Sequence, residues 1–70
     1  MLKKYSLEFV LLVGNTGTKT VKNALSDFGD DLEIIQDHDK RMKITLTTID
    51  PTVIFDICAQ FGRITSAKIE

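Results

Sequence analysis

The polar run from Gly14 to Thr18 is the stretch of this sequence whose residue types best suit ligand chemistry. Its glycines allow a ligand to approach the backbone closely. Asn15, Thr16 and Thr18 offer an amide and hydroxyls, and Lys19 can add a further polar contact. A helical pattern follows, so free N–H groups and the positive end of the helix dipole should face one point. We expect a small ligand, an amino acid or another anion, to bind Gly14, Asn15, Thr16, Gly17 and Thr18. The competing interpretation is a plain turn, with Thr16 or Thr18 capping the helix.

Other reactive residues do not assemble into a site. Cys58 is the single cysteine, so there is no disulfide framework, and its apolar helical context predicts a small buried hydrophobe. The single histidine lies in Asp37-His38-Asp39, which is typical of a polar hairpin turn rather than of metal ligands. The run from Gly14 to Thr20 differs from a P-loop, because Thr18 separates the second glycine from the lysine. We expect no catalysis, no metal and no cofactor.

Length and charge narrow the function further. The chain has 70 residues, a net charge of −1 and a pI of about 5.7. This length makes a single domain over residues 1–70, and the balanced charge attracts neither nucleic acid nor an anionic membrane. The longest apolar run, residues 9–13, is too short to cross a membrane, and Glu8 interrupts any signal-peptide pattern. We expect a cytoplasmic domain that binds neither nucleic acid nor membranes.

The strands and helices predicted on either side of this loop follow the order β-α-β-β-α-β. Apolar alternation and strand-forming residues predict four strands, at residues 5–13, 32–35, 42–46 and 64–69. Between them lie two helical stripes, Val21, Ala24, Leu25 and Phe28, then Val53, Ile54, Ile57, Cys58 and Phe61. This order predicts an α+β fold, a ferredoxin-like sandwich in which two helices cover one face of an antiparallel four-stranded sheet of order 4-1-3-2.

The helix ends carry their own signals. Asp50 and Pro51 are typical of an N-cap and a first helical position. A shift of 33 residues places Phe28-Gly29 on Phe61-Gly62, so the two halves echo each other. We expect Gly29 to end the first helix in a left-handed conformation and Gly62 to end the second.

The strand order predicts which residues face the helices and which face outward. The expected core consists of Leu7, Phe9, Leu11, Met42, Ile44 and Leu46, packed against Val21, Leu25, Phe28, Ile54, Ile57 and Phe61. The uncovered face then presents Val10, Leu12 and Ile35, and exposed apolar groups usually mark a contact surface. We expect a homodimer through these three residues. The alternatives are a covering loop or terminus, a register shifted by one residue, and pairing through the edge strand at residues 32–36.

Several functions of this fold need residues that this sequence lacks. RNA-recognition domains stack bases on aromatic residues of the open sheet face, where we expect Glu8, Val10, Lys43 and Thr45. Heavy-metal-associated domains carry paired cysteines in the first strand–helix loop, and acylphosphatases carry an arginine there. The loop here has neither.

The segment from Gly14 to Ile34, followed by Phe61-Gly62-Arg63-Ile64, resembles an ACT-type regulatory domain, chiefly in topology. Gly17 and Gly29 would fill the family's glycine positions in the first loop and at the end of the first helix. The resemblance implies a non-catalytic module that self-associates through its sheet and binds a small ligand near that loop. The alternative is a protein-interaction or structural domain with no small-molecule ligand.

Overall fold

Four strands and two helices make up residues 3–38 and 40–70, the part of the chain that the computed structural model describes. The elements are β1 (Tyr5–Val13), α1 (Thr18–Leu25), β2 (Asp30–His38), β3 (Arg41–Thr48), α2 (Pro51–Ala59) and β4 (Gly62–Ile69). All three strand pairings are antiparallel, and the sheet order is β2-β3-β1-β4. The ferredoxin-like prediction is confirmed, including the central positions of the first and third strands.

The core forms where β1 and β3 pair under the helices. Phe9 lies opposite Ile44 and Leu11 opposite Met42, and these four side chains are fully buried. Phe9 also meets the ring of Phe55 edge to face, with centroids 5.5 Å apart. The alternation of β3 therefore predicted its buried face correctly.

The helices contribute fewer buried residues than the sheet. Val21 and Leu25 of α1 and Ile54 and Cys58 of α2 are buried, as predicted, and Ile57 and Phe61 are partly buried against this cluster. Asp50 is the N-cap of α2 and Pro51 its first residue, although the Asp50 carboxylate makes no capping hydrogen bond.

Phe28 contradicts the predicted core. α1 ends at Leu25, three residues earlier than the apolar spacing suggested, and Phe28 lies in the turn that follows. Its N–H donates to the Leu25 carbonyl at 2.9 Å, and half of the residue surface (50%) is exposed. A helical spacing carries a residue into the core only while the helix continues.

The glycines of the two Phe-Gly pairs also differ from prediction. No glycine in the described residues has a positive φ, so neither Gly29 nor Gly62 is a left-handed cap. A β-carbon at Gly29 would collide with the Leu46 side chain, and one at Gly62 would collide with the Leu12 carbonyl. Glycine thus allows close approach to a side chain at Gly29 and to the backbone of β1 at Gly62, and Gly62 is already the first residue of β4.

The β2–β3 turn is only partly described. The predicted polar turn at Asp37-His38-Asp39-Lys40 is wrong for Asp37 and His38, which belong to β2, and Asp39 lies outside the described residues. β2 extends further than predicted, from Asp30 to His38, because its pairing with β3 continues beyond the apolar stretch.

Candidate functional site

The loop from Gly14 to Thr18 lies between the end of a central strand and the start of a helix. β1 ends at Val13 and α1 begins at Thr18. Gly14, Asn15 and Gly17 are exposed, whereas Thr16 and Thr18 are half-buried. The five residues predicted to bind a ligand therefore form one accessible segment.

The start of α1 is not capped by a side chain. Its N-cap is Gly17, with φ −86° and ψ 165°, and no side-chain capping hydrogen bond forms there. The prediction that Thr16 or Thr18 caps the helix is wrong, because the N-cap is Gly17, which lies between them. The first-turn N–H groups thus lack the side-chain acceptor that usually satisfies one of them.

Neither loop glycine is required by the fold. Gly14 and Gly17 have ordinary negative φ values, and a β-carbon added to either would meet no heavy atom within 4 Å. The chain conformation and the packing of the described residues would thus admit alanine at both positions. This separates them from Gly29 and Gly62.

Two lysines stand beside the loop. A groove of about 360 Å³ between α1 and β2 is lined by Thr18, Lys19, Lys22, Leu32 and Ile34. Sequence reasoning considered Lys19 but missed Lys22. Lys19 and Lys22 are three residues apart, so a helix places them on one face. This spacing could have predicted that Lys22 lies near the loop. The ammonium groups would add positive charge next to the free N–H groups of α1.

A second candidate surface is the open face of the sheet, formed by Ser6, Glu8, Val10, Leu12 and the residues paired with them. Val10 and Ile35 lie in one cross-strand row with Lys43 between them. Leu12 and Ile35 are 39% and 59% exposed. The prediction that Val10, Leu12 and Ile35 share the open face is correct. They do not form a continuous strip.

The ammonium group of Lys43 forms an ion pair with Glu8, which lies outside the row of Val10, Lys43 and Ile35. Lys43 Nζ lies 3.1 Å from Glu8 Oε1, and the hydrogen bond from Lys43, with its positive charge, lowers the pKa of Glu8. The alkyl stem of a lysine is apolar while its ammonium stays in water. Lys43 can thus link Val10 and Ile35 through its methylene groups.

Arginines flank the third apolar residue. The register places Arg41 and Arg63 on either side of Leu12, and Arg41 Nε lies 3.7 Å from Asp37 Oδ2. These two arginines come from two strands, β3 and β4, and the sequence did not predict their proximity because only strand pairing brings them together. The end of the open face near Leu12 is therefore apolar and basic.

Neither a reactive thiol nor a metal-binding cluster is found in the described residues. Cys58 is buried, and burial raises the pKa of its thiol to about 11, which leaves very little thiolate near neutral pH. Within residues 3–38 and 40–70, no three His, Cys, Asp or Glu side chains gather to hold a metal ion. In the same residues, no helix is long and apolar enough to cross a membrane.

No protein-family model matches the chain, and no curated protein is significantly similar to it. The resemblance to ACT-type domains therefore rests on the order of elements and on two glycine positions. Of these, Gly29 is explained by its contact with Leu46.

Proposed function

We propose that this chain is a non-catalytic regulatory or interaction module that self-associates through the open face of its sheet. The observation that carries the proposal is the exposure of Leu12 and Ile35, 39% and 59%, on a face that no described element covers. A cytoplasmic setting suits its one buried thiol.

Energetics favour a partner on this face. A core of this size typically supplies only about 3–5 kcal/mol of net stability. Burying apolar surface contributes roughly 25 cal/mol per Å², so covering Val10, Leu12, Ile35 and the Lys43 stem would add usefully to that stability. The self-association surface is therefore also a stabilising surface.

The edge strand β2 offers a second route for the same association. Among the described residues, β2 lies at the edge of the sheet beside β3, and the outer side of an edge strand can pair with another chain. A second copy could add its own strand there. Ile35 belongs to both surfaces, whereas Leu12 lies on a central strand and belongs only to the open face.

Leu12→Lys distinguishes these routes. We expect the parent chain to be dimeric at high micromolar concentration and Leu12→Lys to be largely monomeric, because the new charge would be buried without a partner. Sedimentation equilibrium at several concentrations measures the change. Ile35→Lys should disrupt both forms of association.

Ile69→Lys is the matched control, because Ile69 is 52% exposed and is paired with Leu7, whose side chain points into the core. It should leave the association constant unchanged. A parent chain that stays monomeric at millimolar concentration would contradict self-association altogether. A dimer that resists Leu12→Lys but not Ile35→Lys would move the contact to the β2 edge.

Binding of a small anion at Gly14, Asn15, Thr16, Gly17 and Thr18 is a second candidate function. Its support is the uncapped start of α1 together with two glycines that the fold does not require. A ligand that contacts backbone N–H groups benefits from both features.

Amide chemical shifts of residues 14–22 test this, with inorganic phosphate and free amino acids as probes. We expect shifts at millimolar concentration in the parent chain and weaker binding in Gly17→Ala and Lys19→Gln. Gly17 is the N-cap of α1, where glycine is preferred to alanine, so loss of binding in Gly17→Ala counts only if the variant keeps its folded amide spectrum. Unchanged amide shifts with every probe would leave the loop a simple turn, without affecting the dimer proposal.

A further inference from the structure

The surface around Phe28 and Ile49 is a second exposed apolar region, distant from Leu12. Leu12 pairs with Arg41, the first residue of β3, whereas Ile49 directly follows the last residue of that strand. Phe28 and Ile49 are 50% and 51% exposed. The pocket, named here the Phe28 pocket, has a volume of about 260 Å³ and is lined by Asp27, Phe28, Thr48, Ile49, Asp50 and Val53.

The loops that form the Phe28 pocket are tied together by a buried hydroxyl. Thr48 is 3% exposed. Its Oγ1 donates to the Phe28 carbonyl at 2.8 Å and accepts from the Asp50 N–H at 3.2 Å. One threonine thus joins the segment after α1 to the segment before α2. An apolar surface held in this way loses little conformational entropy when a partner binds.

The rim of the pocket is acidic. Asp27 and Asp50 both line it, and neither carboxylate is paired with a cation in the part of the chain that is described. Lys4 is engaged elsewhere, 2.8 Å from Asp30. Two copies meeting through this pocket would bring like charges together, which disfavours self-pairing. The charge complement is a cationic partner.

The size of the pocket indicates the kind of partner. Its volume, about 260 Å³, lies just below the roughly 300–1,000 Å³ typical of small-molecule sites. This space is enough for one bulky side chain of a partner. Bulky apolar anchors in preformed pockets commonly dominate protein–protein affinity.

We propose that the Phe28 pocket docks a segment of a partner protein that presents a bulky apolar side chain beside a lysine or arginine. The apolar anchor contacts Phe28, Ile49 and Val53, and the cation approaches Asp27 and Asp50. This surface is separate from the open face, so a self-associated module can bind its partner at the same time.

Peptide display against the full chain tests the proposal, with two libraries of equal size as probes. One library places lysine or arginine beside each apolar position, and the other places aspartate or glutamate there. We expect binders from the basic library alone, with affinity falling roughly tenfold or more in Phe28→Ser. Ile69→Ser, which removes a similarly exposed apolar residue elsewhere, should bind as the parent chain does.

Reversing the charge of Asp27 tests the predicted cation of the partner independently. Asp27→Lys should weaken the selected peptides several-fold, whereas Asp56→Lys, the same charge change at an exposed position of α2 outside the pocket lining, should not. Ile49→Ser replaces Phe28→Ser if the latter loses its folded amide spectrum. Failure to select any peptide, equal selection from the acidic library, or binding unaffected by the pocket substitutions would each overturn the proposal.

Discussion

Phe28-Gly29 and Phe61-Gly62 occupy corresponding positions in the two halves of the chain, yet their environments differ. In both, the phenylalanine N–H donates to a carbonyl three residues earlier, at 2.9 Å for Phe28 and 3.0 Å for Phe61. Phe61 is partly buried against the core, whereas Phe28 is half exposed. The same local turn can therefore complete a core or present a contact surface.

The preceding helices explain much of this difference. α1 is rich in polar residues, and only Val21 and Leu25 are buried. α2 buries Ile54 and Cys58 and also carries Phe55 and Ile57, which pack partly against the core. A phenylalanine after α2 thus meets apolar neighbours, whereas the one after α1 lies beside Ile49 and two carboxylates.

Substitution of Gly29 or Gly62 by alanine should give the largest difference in stability between the two Phe-Gly pairs. We expect Gly62→Ala to destabilise the domain by about 3 kcal/mol or more, at the upper end of overpacking costs, because the new methyl meets backbone of β1. Gly29→Ala should cost roughly 1–2 kcal/mol, because it meets chiefly the end of the Leu46 side chain, which can move. Urea denaturation of both variants measures the difference. Equal losses would show that β1 yields as readily as Leu46 does.

Substitution of the two phenylalanines by alanine should give a smaller difference in stability, again with the greater loss at the second Phe-Gly pair. Phe61→Ala should cost about 2–3 kcal/mol, less than the roughly 3–5 kcal/mol for a fully buried phenylalanine, because Phe61 is only partly buried. Phe28→Ala should cost less than about 1 kcal/mol, as expected for a residue that contributes little to the core. The same denaturation experiment serves both. A loss for Phe28→Ala as large as that for Phe61→Ala would make Phe28 a structural residue and weaken the case for a docking role.

Local patterns predicted the elements because each depends on neighbours in sequence. The alternation of Met42, Ile44 and Leu46 located β3 and its buried face, and Asp50-Pro51 located the start of α2. The candidate loop could be found for the same reason, since it lies between two such elements. The N-cap of α1 could not be predicted, because it depends on the exact residue at which the helix begins.

Local sequence patterns could not predict the environment of each side chain. The sequence by itself determined the order of elements and the alternating faces of the strands, because periodicity and turn residues act over short distances. The central strands and the open face followed only from the fold that this order predicts. Only the tertiary structure decided that Arg41 and Arg63 flank Leu12, that Gly62 packs on the Leu12 carbonyl and that Phe28 faces solvent beside Ile49. These facts depend on strand pairing and on where α1 ends, which bring together residues far apart in the chain.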